Sequence, residues 1–255
     1  MSILHGVMQS KSIGILLCIL VGIALLAAWS AKATQASITH DEAGTYFNHV
    51  LADRSFWDCR TDPACWQDAN NHLLNTALAS ITVSWLGPSP LALRLPNLLF
   101  FVMYLAGVLI LLRSVAHSTI ACVAGFALLC LNPYVLDFFA LARGYGMGLG
   151  CMMASLGLAW LYVRDPERLR WLSLAFAFAV LAVFANLTYV AYFAALSGAV
   201  AVMVLARPRS GRSGRAFWRG VLLTALIPLL AAVMLFFYFY HPVGLLVQGG
   251  EFQYG

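Results

Sequence analysis

The chain has 255 residues, of which 62% are hydrophobic and only 10% charged, and its mean hydropathy is +0.84. Soluble domains are about half apolar and about a quarter charged, so an ordinary soluble globule is excluded. In such a chain the net charge of +5 reads as a topology signal for membrane insertion, not as a footprint for nucleic acid.

Residues 12–33 form the first apolar run, with Lys11 before it and no clear small-residue cleavage site after it, which predicts a membrane anchor and not a cleaved signal peptide. Residues 34–90 follow as a long polar loop. Further runs at 91–112, 118–133, 145–163, 171–185, 189–206 and 221–240 approach the roughly 20 apolar residues that a bilayer crossing needs. The expectation is an all-α, polytopic helical membrane protein. It has about seven transmembrane helices in one domain over 1–255, with amphipathic interfacial helices in the first external loop. The chain closes in a polar, Gly-rich stretch ending at Gly255, which reads as an incomplete C-terminus.

Residues 72–86 are uncharged and resemble a further span, but the distribution of basic residues argues that they lie on the membrane. On that reading one face collects Lys11, Arg113, Arg164, Arg168, Arg170, Arg207, Arg209, Arg212, Arg215 and Arg219. The other collects Lys32, Arg54, Arg60, Arg94 and Arg143. The positive-inside tendency then places the N-terminus in the cytoplasm and the 34–90 loop outside. Asn75, Thr76, Ser80, Thr82 and Ser84 also make this segment a poor lipid-facing helix.

Four cysteines, Cys18, Cys122, Cys130 and Cys151, lie in apolar runs and read as packing residues. Cys59 and Cys65 stand in a polar loop. They read either as a short disulfide, if the loop faces an oxidising compartment, or as two ligands of a zinc site lacking its other ligands.

The external loop opens with Thr39-His40-Asp41-Glu42-Ala43-Gly44-Thr45-Tyr46. Thr39 and Glu42 have the spacing of a capping box, which starts a helix. Ala43, Tyr46, Phe47, Val50 and Leu51 form an apolar stripe directed inward at the bilayer interface. Asp41 falls opposite that stripe and Glu42 towards His49, so the two carboxylates point different ways. In the next amphipathic piece, Leu73, Leu74, Ala77, Leu78, Ile81 and Trp85 share one face, with His72, Asn75 and Thr76 elsewhere. Asn71 and His72 suit a sugar or phosphate and equally suit lipid headgroups.

The order of these features, with Asp41-Glu42-Ala43-x-x-Tyr46, amphipathic loop helices, Leu93-Arg94-Leu95-Pro96 and then Leu141-Ala142-Arg143-Gly144-Tyr145-Gly146, resembles the GT-C glycosyltransferases. The similarity is to the N-terminal half of the protein O-mannosyltransferase and aminoarabinose-transferase-like group, family 39. It implies an inverting transfer from a polyprenyl-phosphate sugar to an acceptor at the external face of a bacterial inner membrane. Asp41 would be the general base and Glu42 a secondary group orienting the acceptor or holding the cap. The resemblance further implies that His72, Asn71, Arg94, Arg143 and Tyr145 meet the donor's phosphate or sugar. His72 would replace a phosphate-contacting lysine found in some members. Both arginines read alternatively as residues snorkelling to the interface. Several members hold a divalent cation (Mg2+ or Mn2+) through an acid near the position of Gly144-Tyr145. Here Asp137, together with Asp41, is the substitute ligand. Tyr134, Phe138, Phe139, Tyr189 and Tyr192 read as a lipid-tail groove or an aromatic belt.

Two other readings stand beside this one. A transporter or flippase would want ionisable groups within the spans, where this chain has few. A non-catalytic homologue would keep the scaffold without the chemistry.

Overall fold

The computed structural model describes residues 2–51, 57–66, 71–206 and 214–249. Arg54, Arg207, Arg209, Arg212 and the 250–255 end, all read above from sequence, lie outside the described residues. Every regular element among the described residues is helical.

The helices run α1 (Ser2–Gln35), α2 (His40–Thr45), α3 (Leu73–Leu86), α4 (Pro90–Val115), α5 (Thr119–Cys130), α6 (Pro133–Asp137), α7 (Gly144–Arg164), α8 (Leu169–Ala185), α9 (Val190–Leu205) and α10 (Gly214–Gln248). Local chemistry sets their starts. Ser89 caps α4 ahead of Pro90 at its first turn, Ser118 caps α5, and Asn132 caps α6 ahead of Pro133. Side-chain oxygens there accept amides that the first turn leaves unpaired, and proline has no amide to lose. Gly87 ends α3 at φ 78°, a backbone region that other residues avoid, and so turns the chain directly into α4.

Among the described residues, four helices are long and apolar enough to cross a membrane: 12–35 of α1, α4, α7 and 221–248 of α10. This is an integral membrane protein by length and composition. The expected count of about seven is not confirmed. The run at 118–133 breaks at Asn132-Pro133, and α5 and the 133–140 segment form a pair bent by 60°, which counts as a fifth span only if taken as one broken crossing. With 17 and 16 residues, α8 and α9 reach about 26 and 24 Å, short of the roughly 30 Å hydrocarbon layer. At 14 residues α3 is shorter still.

Packing centres on α7, which lies between α4 and α8, while α1 packs on α4 and α5. One apolar cluster joins Cys18, Phe101, Tyr104, Cys122, Phe126 and Phe139; another joins Phe176, Val180, Phe184, Phe193 and Tyr238 to Cys59, Cys65 and Trp66 of the loop. Cys18, Cys122, Cys130 and Cys151 are all buried free thiols, as their apolar settings suggested.

Two amphipathic segments bury polar side chains and expose part of their apolar stripes. In α2 and the π-helical turn that continues it (Tyr46–Val50), Glu42, Thr45 and His49 are buried together with Val50, whereas Phe47 and Leu51 are exposed. In α3 the buried positions include Asn75 and Ala79, whereas Ile81 and Trp85 are exposed. The physical reason is the solvent: hydrocarbon welcomes leucine and tryptophan, while polar groups must find partners within the protein.

Candidate functional site

The site begins with the capping box. Thr39 Oγ1 accepts the Glu42 amide at 3.4 Å, and Glu42 Oε2 accepts the Thr39 amide at 2.9 Å. This fixes α2 just after the end of α1 and sends two consecutive carboxylates in different directions.

Glu42 points into the protein and is 1% exposed. Its carboxylate takes both Nε and Nη2 of Arg94 at 2.7 Å, a bidentate pair, and Oε1 also accepts the Ala142 amide at 2.7 Å. Burial alone would raise the Glu42 carboxyl, but the bonds from Arg94, Thr39 and Ala142 outweigh it and hold the carboxyl below its ordinary value. Arg94, 0% exposed, spends its remaining donors on the carbonyls of Ala33, Ala36 and Ser37 at 2.8–2.9 Å. It thereby caps the last turn of α1, where carbonyls lack helical partners. The expectation that Arg94 meets a donor phosphate is therefore corrected: all five of its N–H groups are engaged within the protein. Glu42 likewise holds the scaffold, not an acceptor.

Ala142 is gripped on both sides. Glu42 takes its amide, and Asn75 Nδ2 donates to its carbonyl at 3.1 Å, while Asn97 Nδ2 donates to Asn75 Oδ1 at 2.9 Å. The next residue, Arg143, is thus delivered to Asp41, and its Nη1 lies 2.8 Å from Asp41 Oδ2. These two side chains are 23% and 38% exposed, a reachable pair standing on a buried one.

Around the pair stand His72 and Tyr145. The Arg143 guanidinium lies 5.3 Å from the Tyr145 ring, His72 meets that ring edge-on at 5.2 Å, and Phe138 stacks on it at 5.0 Å. At Gly144 a Cβ atom would stand 1.7 Å from the Ala185 carbonyl oxygen, so only glycine lets the end of α8 approach here. His72 gives a hydrogen bond to that same carbonyl, and its Nε2 is buried with no hydrogen-bond partner. The donor must then be Nδ1. Burial, followed by the charge of Arg143, pushes the imidazole down to about 4 against the opposing influence of Ala185 and Asp41. His72 is therefore neutral near pH 7. It does not replace a cationic lysine, and its Nε2 is an acceptor suited to a hydroxyl or amide proton.

The remaining candidates are placed elsewhere. Asn71 donates to the Cys65 carbonyl at 2.8 Å and accepts from Thr76 at 3.2 Å, so it braces the loop. Asp137 accepts Lys32 Nζ at 2.6 Å and Trp29 Nε1 at 3.3 Å, joining the end of α1 to α6. Asp41 and Asp137 are thus held by different cations. Among the described residues no group of three or more His, Cys, Asp or Glu side chains could hold a metal ion. Cys59 and Cys65 are bonded to each other, with Cα atoms 5.3 Å apart, which settles the alternative of a zinc pair. Asn186, which begins a glycosylation sequon, is buried and accepts the Thr188 amide at 2.9 Å.

Two participants carried no sequence signal. Ala142 acts through its backbone alone, and Asn97 sits inside a run that reads simply as a span. No protein-family model, curated protein or solved structure matches this chain.

Proposed function

We propose that the protein is a membrane glycosyltransferase that moves a sugar from a polyprenyl-phosphate carrier to an acceptor hydroxyl, with Asp41 as general base. The observation that carries this reading is the accessible Asp41–Arg143 pair, braced by the buried Glu42–Arg94 pair and flanked by Tyr145 and the buried, unpartnered Nε2 of His72. A base needs an accessible carboxylate within hydrogen-bond reach of the proton it removes. A departing phosphate needs a donor where charge develops, and a guanidinium fork supplies it.

In the proposed reaction the acceptor oxygen bonds to the anomeric carbon as the bond from that carbon to the phosphate oxygen breaks. Asp41 takes the acceptor proton, and the lipid phosphate leaves with the bonding electrons. Arrival of the donor phosphate draws Arg143 away from Asp41 and leaves the carboxylate free to act. Tyr145 and Phe138 offer a stacked aromatic wall to the sugar. The site is placed on the external face, in keeping with the distribution of basic residues.

The test is transfer by protein reconstituted in lipid, supplied with radiolabelled polyprenyl-phosphate sugars, for the wild type and Asp41→Asn. Turnover of one donor by the wild type, with binding but no turnover by Asp41→Asn, is expected. Undiminished turnover by Asp41→Asn would overturn the assignment of the base. No binding of any donor by the wild type would overturn the reaction class and favour a transporter.

A further inference from the structure

Between α8 and α10 runs an apolar groove. Its deeper part, about 620 Å³, is lined by residues from Ser173 to Phe184 of α8 and from Ile227 to Met234 of α10, with Leu74 of α3. It continues through the shared residues Phe184 and Met234 into a further 450 Å³ bounded by Trp57, Arg60, Phe237 and Tyr238. The polar end is built by the disulfide-closed loop, where Trp57 meets the Tyr238 ring at 6.2 Å and Trp66 meets Phe239 at 6.3 Å.

We propose that this groove binds one acyl chain of an anionic membrane phospholipid, with its phosphate on Arg60. Two observations choose the occupant. The first is length: eleven helical steps separate Ser173 from Phe184, and eleven separate Ile227 from Tyr238, about 16 Å along each wall. That is the depth of one leaflet, half of a roughly 30 Å hydrocarbon layer, and suits a fatty-acyl chain better than a long prenyl chain.

The second is charge. Arg60 is exposed at the groove's mouth and forms no ion pair with a described residue. Asp62, two residues on, is turned to the Ala64 amide at 2.9 Å, and Asp58, two residues before, is itself engaged. Arg60 is therefore the charge presented to the groove, and its guanidinium fork matches a phosphate. The site lies apart from Asp41 and Arg143. Phe184 faces the groove while its neighbour Ala185 faces His72, so the two sites share one helix end. The inference holds whichever chemistry Asp41 performs.

The experiment is native mass spectrometry of the protein released from vesicles of equal phosphatidylglycerol and phosphatidylcholine with matched chains. Wild type is expected to retain phosphatidylglycerol over phosphatidylcholine by roughly tenfold, the worth of a charge-assisted hydrogen bond. Arg60→Gln should abolish the preference, and Ala231→Trp, which fills the groove, should remove bound lipid of both kinds. Equal retention of both lipids by wild type, or an unchanged preference in Arg60→Gln, would overturn the proposal. So would displacement of phosphatidylglycerol by undecaprenyl phosphate at equal concentration, which would give the groove to the sugar carrier. Lipid-free dimers would give it to a second copy of the chain.

Discussion

Glu42 Oε1 accepts the amide of Ala142 at 2.7 Å, tying together residues one hundred positions apart, and directly beside this bond Asp41 holds Arg143 at 2.8 Å. Two consecutive acids thus grip two consecutive residues of a distant loop. The inner bond is sealed and the outer one is reachable. The inner grip sets the geometry of the outer.

Because one grip is buried and the other exposed, adjacent acids should respond differently to the same substitution. Glu42→Gln strands the Arg94 charge in the interior and should cost about 3–5 kcal/mol, the usual penalty for halving a buried pair. Asp41→Asn removes a pair open to solvent and should cost less than about 1 kcal/mol. Thermal unfolding in detergent micelles checks both. Equal losses would mean that Glu42 is not the anchor.

Acid should loosen the site through two groups. Glu42 lies below its ordinary value in the folded protein, so its contribution is present above the unfolded value and is lost as pH falls through the folded one. His72 lies at about 4 against 6.5 unfolded, so below pH 6.5 the unfolded chain binds the extra proton and stability falls until about pH 4. The histidine contribution amounts to roughly 3 kcal/mol over that window. Melting temperatures between pH 7 and 4 should decline less steeply in His72→Asn than in wild type.

The Cys59–Cys65 bond closes a short loop and holds Trp57 and Trp66 against α10. Loop-closure entropy for so short a segment is worth about 2 kcal/mol. Cys59→Ala with Cys65→Ala should lower stability by that amount and weaken the near-ultraviolet circular dichroism of the tryptophans. Since both cysteines are buried, mild reductant should leave the folded wild type unchanged.

Gly144→Ala pushes a methyl group into the Ala185 carbonyl, a backbone atom with little room to retreat. The cost should be about 1–3 kcal/mol or more, with the largest chemical-shift changes in labelled protein at His72 and Tyr145. Wild-type stability for this variant would show that the end of α8 is free to shift.

Much of this was legible in advance where short-range chemistry decides. The Thr39–Glu42 capping box and the helical membrane class follow from spacing and composition. Asp41, Arg143, Tyr145 and His72 were marked separately and do converge. Less legible was which polar side chains of the amphipathic segments would find partners inside the protein. Spacing puts Asn75 off the apolar face of α3 but does not reveal its burial against Ala142 and Asn97 while Trp85 stays exposed. Arg94 misled for a related reason: an arginine near a span end resembles an interfacial residue, and nothing local reveals that Glu42 will meet it. The run at 118–133 was read as a span by itself, but its helix α5 has only 12 residues, and an apolar count does not register the bend that follows it.

The double grip on Ala142 also sets a timescale. Loops at the ends of membrane helices ordinarily fray, and their amides exchange with deuterium in the fastest class. The Ala142 amide points at a buried carboxylate that is itself held by Arg94, so its release requires α1, α2 and α4 to part together. It should exchange with the slow amides of the helical core, marking a loop whose clock is that of the whole bundle.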